Sequence, residues 1–139
     1  MSRTAIIVFM TLTLVVSAVL ARGVQQEIYY ARDLVMPALV HIQPVIKNYN
    51  TGELEKQEVV GSGVNFHSDG YVVTNYHVAA QAERFICTRA DRELLTAEFV
   101  GGDPLTHLAV IKLDLSEYNG TIQPAEFVDS DSVAVGQYV

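Results

Sequence analysis

The sequence predicts an all-β fold, a small barrel or sandwich preceded by an N-terminal hydrophobic helix. Three observations carry that reading. Six or seven short β-rich runs recur at intervals of about 8 to 15 residues. Turn chemistry separates them, with Asp69-Gly70 as the clearest hairpin marker. After the apolar leader no long helical period appears, and only His77 to Glu83 reads as a helical turn.

The elements follow in chain order. Arg3 and the amino terminus precede an uncharged run of 17 residues from Ala5 to Ala21, which has the length and flank of an export signal or a short membrane anchor. Val19-Leu20-Ala21 before Arg22 offers a cleavage site, so a cleaved signal peptide and a retained anchor over 1–21 both stand. Residues 22–35 read as a polar and aromatic linker or short helix, and 36–139 as the folded domain. Leu39 to Ile46 is a strand whose Pro44 suits an edge or a strand end. Asn48 to Glu55 is a polar loop built on Asn50-Thr51-Gly52. Val59 to Phe66 and Tyr71 to Thr74 form a hairpin through His67-Ser68-Asp69-Gly70, and Phe85 to Thr88 with Leu94 to Val100 form another through Ala90-Asp91-Arg92-Glu93. Leu108 to Leu113 is the most continuous apolar run, as for a strand buried on both faces. Asn119-Gly120 turns the chain, and Val133 to Val139 starts one more strand.

Composition narrows the function classes. With 139 residues, there is room for one ordinary domain and no second catalytic one. Nine basic residues against sixteen acidic ones give a net charge of -7 with no basic cluster, which argues against a nucleic-acid partner. Cys87 is the only cysteine, so neither an internal disulfide nor a Cys/His zinc framework can be assembled. An exported domain without disulfides leans toward a source in a prokaryote or in an organelle derived from one. The four histidines, His41, His67, His77 and His107, include no pair at close ligand spacing, so the metal reading is weak and no cofactor is implied.

The strings that carry chemistry are Gly61-Ser62-Gly63-Val64, then Thr74-Asn75-Tyr76-His77-Val78, then Asp103-Pro104-Leu105-Thr106-His107-Leu108-Ala109-Val110-Ile111-Lys112, then Asp129-Ser130-Asp131 with Val135-Gly136. Their order and spacing from Met36 to Val139 resemble the Deg or HtrA family of chymotrypsin-like serine proteases. The resemblance implies the first, six-stranded barrel of a double-barrel fold. It assigns His77 as the general base. The slot that the family fills with the triad aspartate is occupied by His107, and Asp103, four residues earlier, is the nearest carboxylate.

A serine protease needs a hydroxyl activated by an imidazole, and a carboxylate that orients the imidazole and stabilises its cation. His107 brings no negative charge, and loss of that charge costs about ten-thousand-fold in turnover. No G-N-S-G-G string occurs, so the chain contains no nucleophile serine of the family pattern, and Gly61-Ser62-Gly63 reads as packing glycines on a strand. The expected function is therefore the N-terminal part of an exported Deg-like endopeptidase, acting on proteins or peptides and not catalytic as given. The alternative is a non-catalytic binding or regulatory module. The expected location is the periplasm, or the inner membrane facing it through residues 5–21, and homo-oligomer formation is left open.

Overall fold

A computed structural model describes residues 23–48, 51–56 and 60–136. The leader, the first residue of the strand expected at Val59, and residues 137–139 lie outside the described residues. The described residues fall into two units, residues 23–34 and residues 35–136. A helix α1 covers 23–35, its last residue belonging to the second unit; Gln25, Gln26, Glu27, Ala31 and Arg32 favour helix and Pro37 prevents its continuation. Among the described residues no helix is long and apolar enough to cross a membrane.

The second unit begins with a 3-10 turn at Met36–Ala38 and continues into β1, Leu39–Lys47. After it come β2, Leu54–Lys56, β3, Gly61–Asn65, and β4, Tyr71–Asn75. A short helix α2, Tyr76–Ala79, follows β4 directly. Then come β5, Arg84–Arg89, β6, Leu94–Asp103, and β7, Leu108–Leu113. The strand order is β2-β1-β3-β4-β7-β6-β5, and a β1–β5 pairing closes the ring. Removing β2, which pairs only with the end of β1, leaves a closed six-stranded antiparallel barrel, as the sequence and its resemblance implied.

The hairpins are built by the turns the sequence marked. Gly70 has φ +87 and donates its N–H to the His67 carbonyl at 3.0 Å, a backbone conformation that few residues other than glycine tolerate. The second turn places Arg92 at φ 68 and caps Glu93 N–H with the Asp91 carboxylate at 3.1 Å. Pro44 pairs with Phe85 on the β5 side. On its other side it falls between the β3 pairing that ends at Ile42 and the β2 pairing that starts at Val45, so a residue without an N–H leaves no ladder partner unmatched there.

Inward residues of β1, β4, β5, β6 and β7 form one core, including Val40, Ile42, Val72, Phe85, Cys87, Ala97, Ile111 and Leu113. Val78 and Ala79 of α2 join the same cluster. Arg89 is buried at the end of β5, with its guanidinium 5.0 Å from the Tyr118 ring centroid, while the Tyr118 hydroxyl donates to Asp91 at 2.8 Å. That contact ties the chain after β7 to the β5–β6 turn.

Four expectations need correction. β7 is buried on one face only, with Leu108 52% exposed, because a barrel strand turns alternate residues to its outer wall. The loop from Asn48 to Glu55 contains the start of β2, which backbone pairing to Val45–Lys47 forms without an apolar pattern. The helical turn runs over Tyr76–Ala79 rather than His77 to Glu83, since Arg84 already opens β5. The described part of the expected last strand, 133–136, forms none; it follows a 3-10 turn at Ser130–Ser132 and pairs with no strand among the described residues.

Candidate active site

His77 is the second residue of α2, and three separate contacts hold that helix on the barrel. The chain leaves β4 through Asn75 in an extended conformation and turns into helix at Tyr76. Gly61 on β3 lies beneath Val78. A Cβ on Gly61 would meet the Val78 Cγ1 at 2.5 Å and Cγ2 at 2.7 Å, so the bare glycine makes the seat for the residue next to the imidazole. A Cβ on Gly102 of β6 would meet Tyr76 Cδ2 at 2.8 Å, so a second glycine seats the residue on the other side. Tyr76 N–H donates to the His107 carbonyl at 2.7 Å. Three of the four strings singled out in the sequence therefore meet around one four-residue helix.

His107 has φ +59, in the left-handed region that Asn, Asp and His enter more readily than other side-chain-bearing residues. The backbone at this position thus suits aspartate and histidine alike. Neither the His77 nor the His107 imidazole has a hydrogen-bond partner among the described residues, and both are exposed.

Asp103 is committed to the turn that leads to His107. Its Oδ1 accepts from Leu105 N–H at 2.9 Å and its Oδ2 from the Thr106 hydroxyl at 3.0 Å. The Leu105 N–H first, and the Thr106 hydroxyl next, hold its carboxyl below the usual carboxylate value.

The other candidates lie elsewhere. Ser62 is exposed on β3, and its carbonyl accepts from the Thr74 hydroxyl at 2.8 Å. Among the described residues no hydrogen bond joins its hydroxyl to His77. Cys87 faces the core, where burial pushes its thiol up to about 12, so its thiolate is scarce at neutral pH. His41 is on β1, paired opposite Ser62 and Thr88, and His67 sits in the β3–β4 turn beside Asp69 at 3.6 Å. Of the four histidines, only His77 and His107 are brought to neighbouring backbone positions, through the Tyr76 N–H on the His107 carbonyl.

Sequence reasoning missed the supporting roles of Tyr76 and Gly102. The Gly101-Gly102 pair ahead of Asp103 is the signal that could have found one of them. It also missed Asn65, a wholly buried amide facing inward, which no local pattern marks. Along the outer wall Phe66, Tyr71, Leu108 and Val110 border an apolar groove of about 630 Å³ beside Asp103.

What this arrangement can do is present an exposed imidazole in a fixed backbone setting, ready to accept a proton from a group delivered to it.

Residues 61–139 match the family described as the trypsin-like peptidase domain. A protein of Pseudomonas putida named probable periplasmic serine endoprotease DegP-like is 32% identical over 116 residues, which is 75% of this chain and 24% of that protein. One of the same name from Rickettsia conorii is 37% identical over 84 residues, 60% of this chain and 16% of that protein. Another from Halomonas elongata is 35% identical over 88 residues, 63% of this chain and 18% of that protein. The chain spans about a quarter of the length of the first of these relatives or less of the others.

Proposed function

We propose, from the premise that this chain belongs to the trypsin-like peptidase domain family and to its Deg/HtrA branch, that it is the first barrel of an exported serine endopeptidase. In this reading it supplies the general base His77 and half of a substrate cleft. The nucleophile comes from a second barrel, which the apolar groove and the exposed Phe127 and Val128 suit. The single observation that carries the reading is the convergence of three of the four strings on α2, through Gly61 under Val78, Gly102 under Tyr76, and Tyr76 N–H on the His107 carbonyl.

By itself the chain is not catalytic, because an unheld base without a serine moves no peptide bond forward. With a serine supplied, His107 leaves the His77 imidazolium without an anion beside it. Substrates are proteins or peptides. The run Ala5 to Ala21 directs export to the periplasm, in keeping with the names of the relatives. Retention of that run as an anchor is decided by the mass of the mature chain around Ala21-Arg22. We also infer that copies of the chain associate with one another.

The test supplies the serine-bearing half from a close relative and measures peptide hydrolysis. Activity should be very weak, and His107→Asp should raise it by about ten-thousand-fold. His77→Ala should abolish what is gained, and Asp103→Asn should change little. Equal activity with and without His107→Asp would sink the assignment of the slot. The second reading, a non-catalytic module, draws on His107 itself, since a site without the triad charge is no longer built for turnover. It predicts that His107→Asp leaves hydrolysis at background while peptide binding to the chain persists.

A further inference from the structure

The turn after β7 carries chemistry that the protease reading does not use. Asn119 is followed by Gly120, and both are exposed and outside any helix or strand. The other asparagines, Asn48, Asn50, Asn65 and Asn75, precede Tyr49, Thr51, Phe66 and Tyr76. An asparagine amide can be attacked by the main-chain nitrogen that follows it, and a residue without a Cβ crowds that nitrogen least. The Gly120 N–H makes no hydrogen bond among the described residues. The Asn119 amide is held there only through its nitrogen, which donates to the Glu117 carbonyl at 3.5 Å, beyond the usual length of such a bond. Nothing in the fold has to open before the two groups meet.

Packing requires the glycine at this position. A Cβ on Gly120 would fall on the Tyr118 hydroxyl and its ring carbon Cζ, and would lie 2.9 Å from Cε2. That hydroxyl donates to Asp91 at 2.8 Å. The Tyr118 ring lies 5.0 Å from the Arg89 guanidinium, and Arg89 Nη2 donates to the Thr121 carbonyl at 3.5 Å. A larger residue at 120 would push the phenol away from this clasp over Arg89. The fold thus demands the one residue that leaves the Asn119 side chain open to attack.

We propose that Asn119-Gly120 is a modification site of the folded chain, converting spontaneously to aspartate and isoaspartate, and that isoaspartate loosens the Tyr118 clasp over Arg89. The Gly120 nitrogen loses its proton and attacks Asn119 Cγ. The Cγ–Nδ2 bond breaks, and ammonia departs to leave a cyclic imide. Water then opens the ring. Attack at Cγ breaks its new bond to the Gly120 nitrogen and gives aspartate in an unchanged backbone. Attack at the Asn119 main-chain carbonyl breaks that carbonyl's bond to the Gly120 nitrogen instead, so the chain runs through Cγ and is longer by the side-chain methylene. Either product adds a carboxylate to a cleft of about 660 Å³ where Asp91, Glu93, Asp114 and Glu117 already stand, and like charges repel. Only isoaspartate also displaces Gly120 and Thr121 from the groups they pack on.

The experiment incubates the full 139-residue chain in mildly alkaline buffer and then cleaves it after Lys112. That is the last basic residue, so the peptide 113–139 is released with Asn119 as its only asparagine. Chromatography separates its asparagine, aspartate and isoaspartate forms, and enzymatic isoaspartyl methylation marks the last. Conversion in the folded chain should run within about tenfold of its rate in urea, since no opening step precedes it. Asn119→Gln should give no methylated product. A slower conversion than this, or none, would overturn the site. For the clasp, the aged chain, freed of unconverted protein by ion exchange, should unfold at a lower urea midpoint than both fresh chain and Asn119→Asp. In Tyr118→Phe, which already lacks the bond to Asp91, ageing should lower the midpoint less. Equal midpoints for the aged chain and Asn119→Asp would overturn the clasp, as would an undiminished drop in Tyr118→Phe.

Discussion

If Gly61 is the seat of α2, then adding one methyl there should unsettle the barrel, and removing the methyls it strikes should cure it. Gly61→Ala sets a carbon 2.5 Å and 2.7 Å from the two Val78 methyls and 3.2 Å from Val78 Cβ. Overpacking of this kind costs about 1–3 kcal/mol, and the stiffer unfolded chain returns about 0.4–1 kcal/mol. A net loss of about 1–2 kcal/mol follows. Val78→Ala alone removes two buried methyls and should cost about 2 kcal/mol with its cavity. In the double variant the new methyl occupies the space vacated, so the loss should stay within about 1 kcal/mol of Val78→Ala alone, a favourable coupling of about 1–2 kcal/mol. Urea unfolding of the four proteins in the cycle measures this, with unchanged slopes showing that the native states remain comparable. The His77 imidazole resonances should shift in Gly61→Ala and move back in the double variant. Losses that add within about 0.5 kcal/mol would show that the two sites are independent and refute the seat.

Two further outcomes follow from the same barrel. Asn65 is fully buried, and neither its amide oxygen nor its amide nitrogen has a hydrogen-bond partner among the described residues. Asn65→Leu keeps the branch at Cγ and removes two groups costing about 1–3 kcal/mol each, so after some overpacking it should stabilise by roughly 1–3 kcal/mol, read as a higher urea midpoint. A destabilised Asn65→Leu with an unchanged slope would show that the amide is bonded in solution. Asp103 contributes to the turn before His107 only while ionised. Its folded value is lowered, so that contribution is present above the usual carboxylate range and is lost as pH falls through the folded value. Between neutral pH and the usual carboxylate range the Leu105 amide resonance should therefore stay put and then move as acid is added further; Asp103→Asn should abolish that step.

How much of this was legible in the sequence depended on whether a residue acts locally. The β3–β4 hairpin was legible because Asp69-Gly70 specifies its own backbone, and Gly70 takes φ +87 as such a turn requires. β7 was legible as a strand but misjudged in burial, because an apolar run does not say which of its faces a ring will leave outside. β2 was hidden, since Leu54, Glu55 and Lys56 are strand only by pairing with a neighbour already in place. At the candidate site His77 and His107 were legible through the strings they stand in. Their juxtaposition was implied only by the resemblance and not by any local pattern, because it depends on a backbone hydrogen bond between residues 31 positions apart, Tyr76 and His107.

The order in which the ring closes constrains how this chain reaches its native state. β1 must wait for β3 on one side and for β5, more than forty residues later, on the other. β4 and β6 wait for β7, which arrives last. A chain delivered from its N-terminus therefore passes through a stage in which β1, β3 and β4 are present while open ladder edges face the surroundings. Such an intermediate has slow, long-range steps ahead of it and little local helix to shelter it. Until Leu108–Leu113 emerges, the unmatched ladder edges of β1 and β4 are the places where such a chain is open to pairing with another.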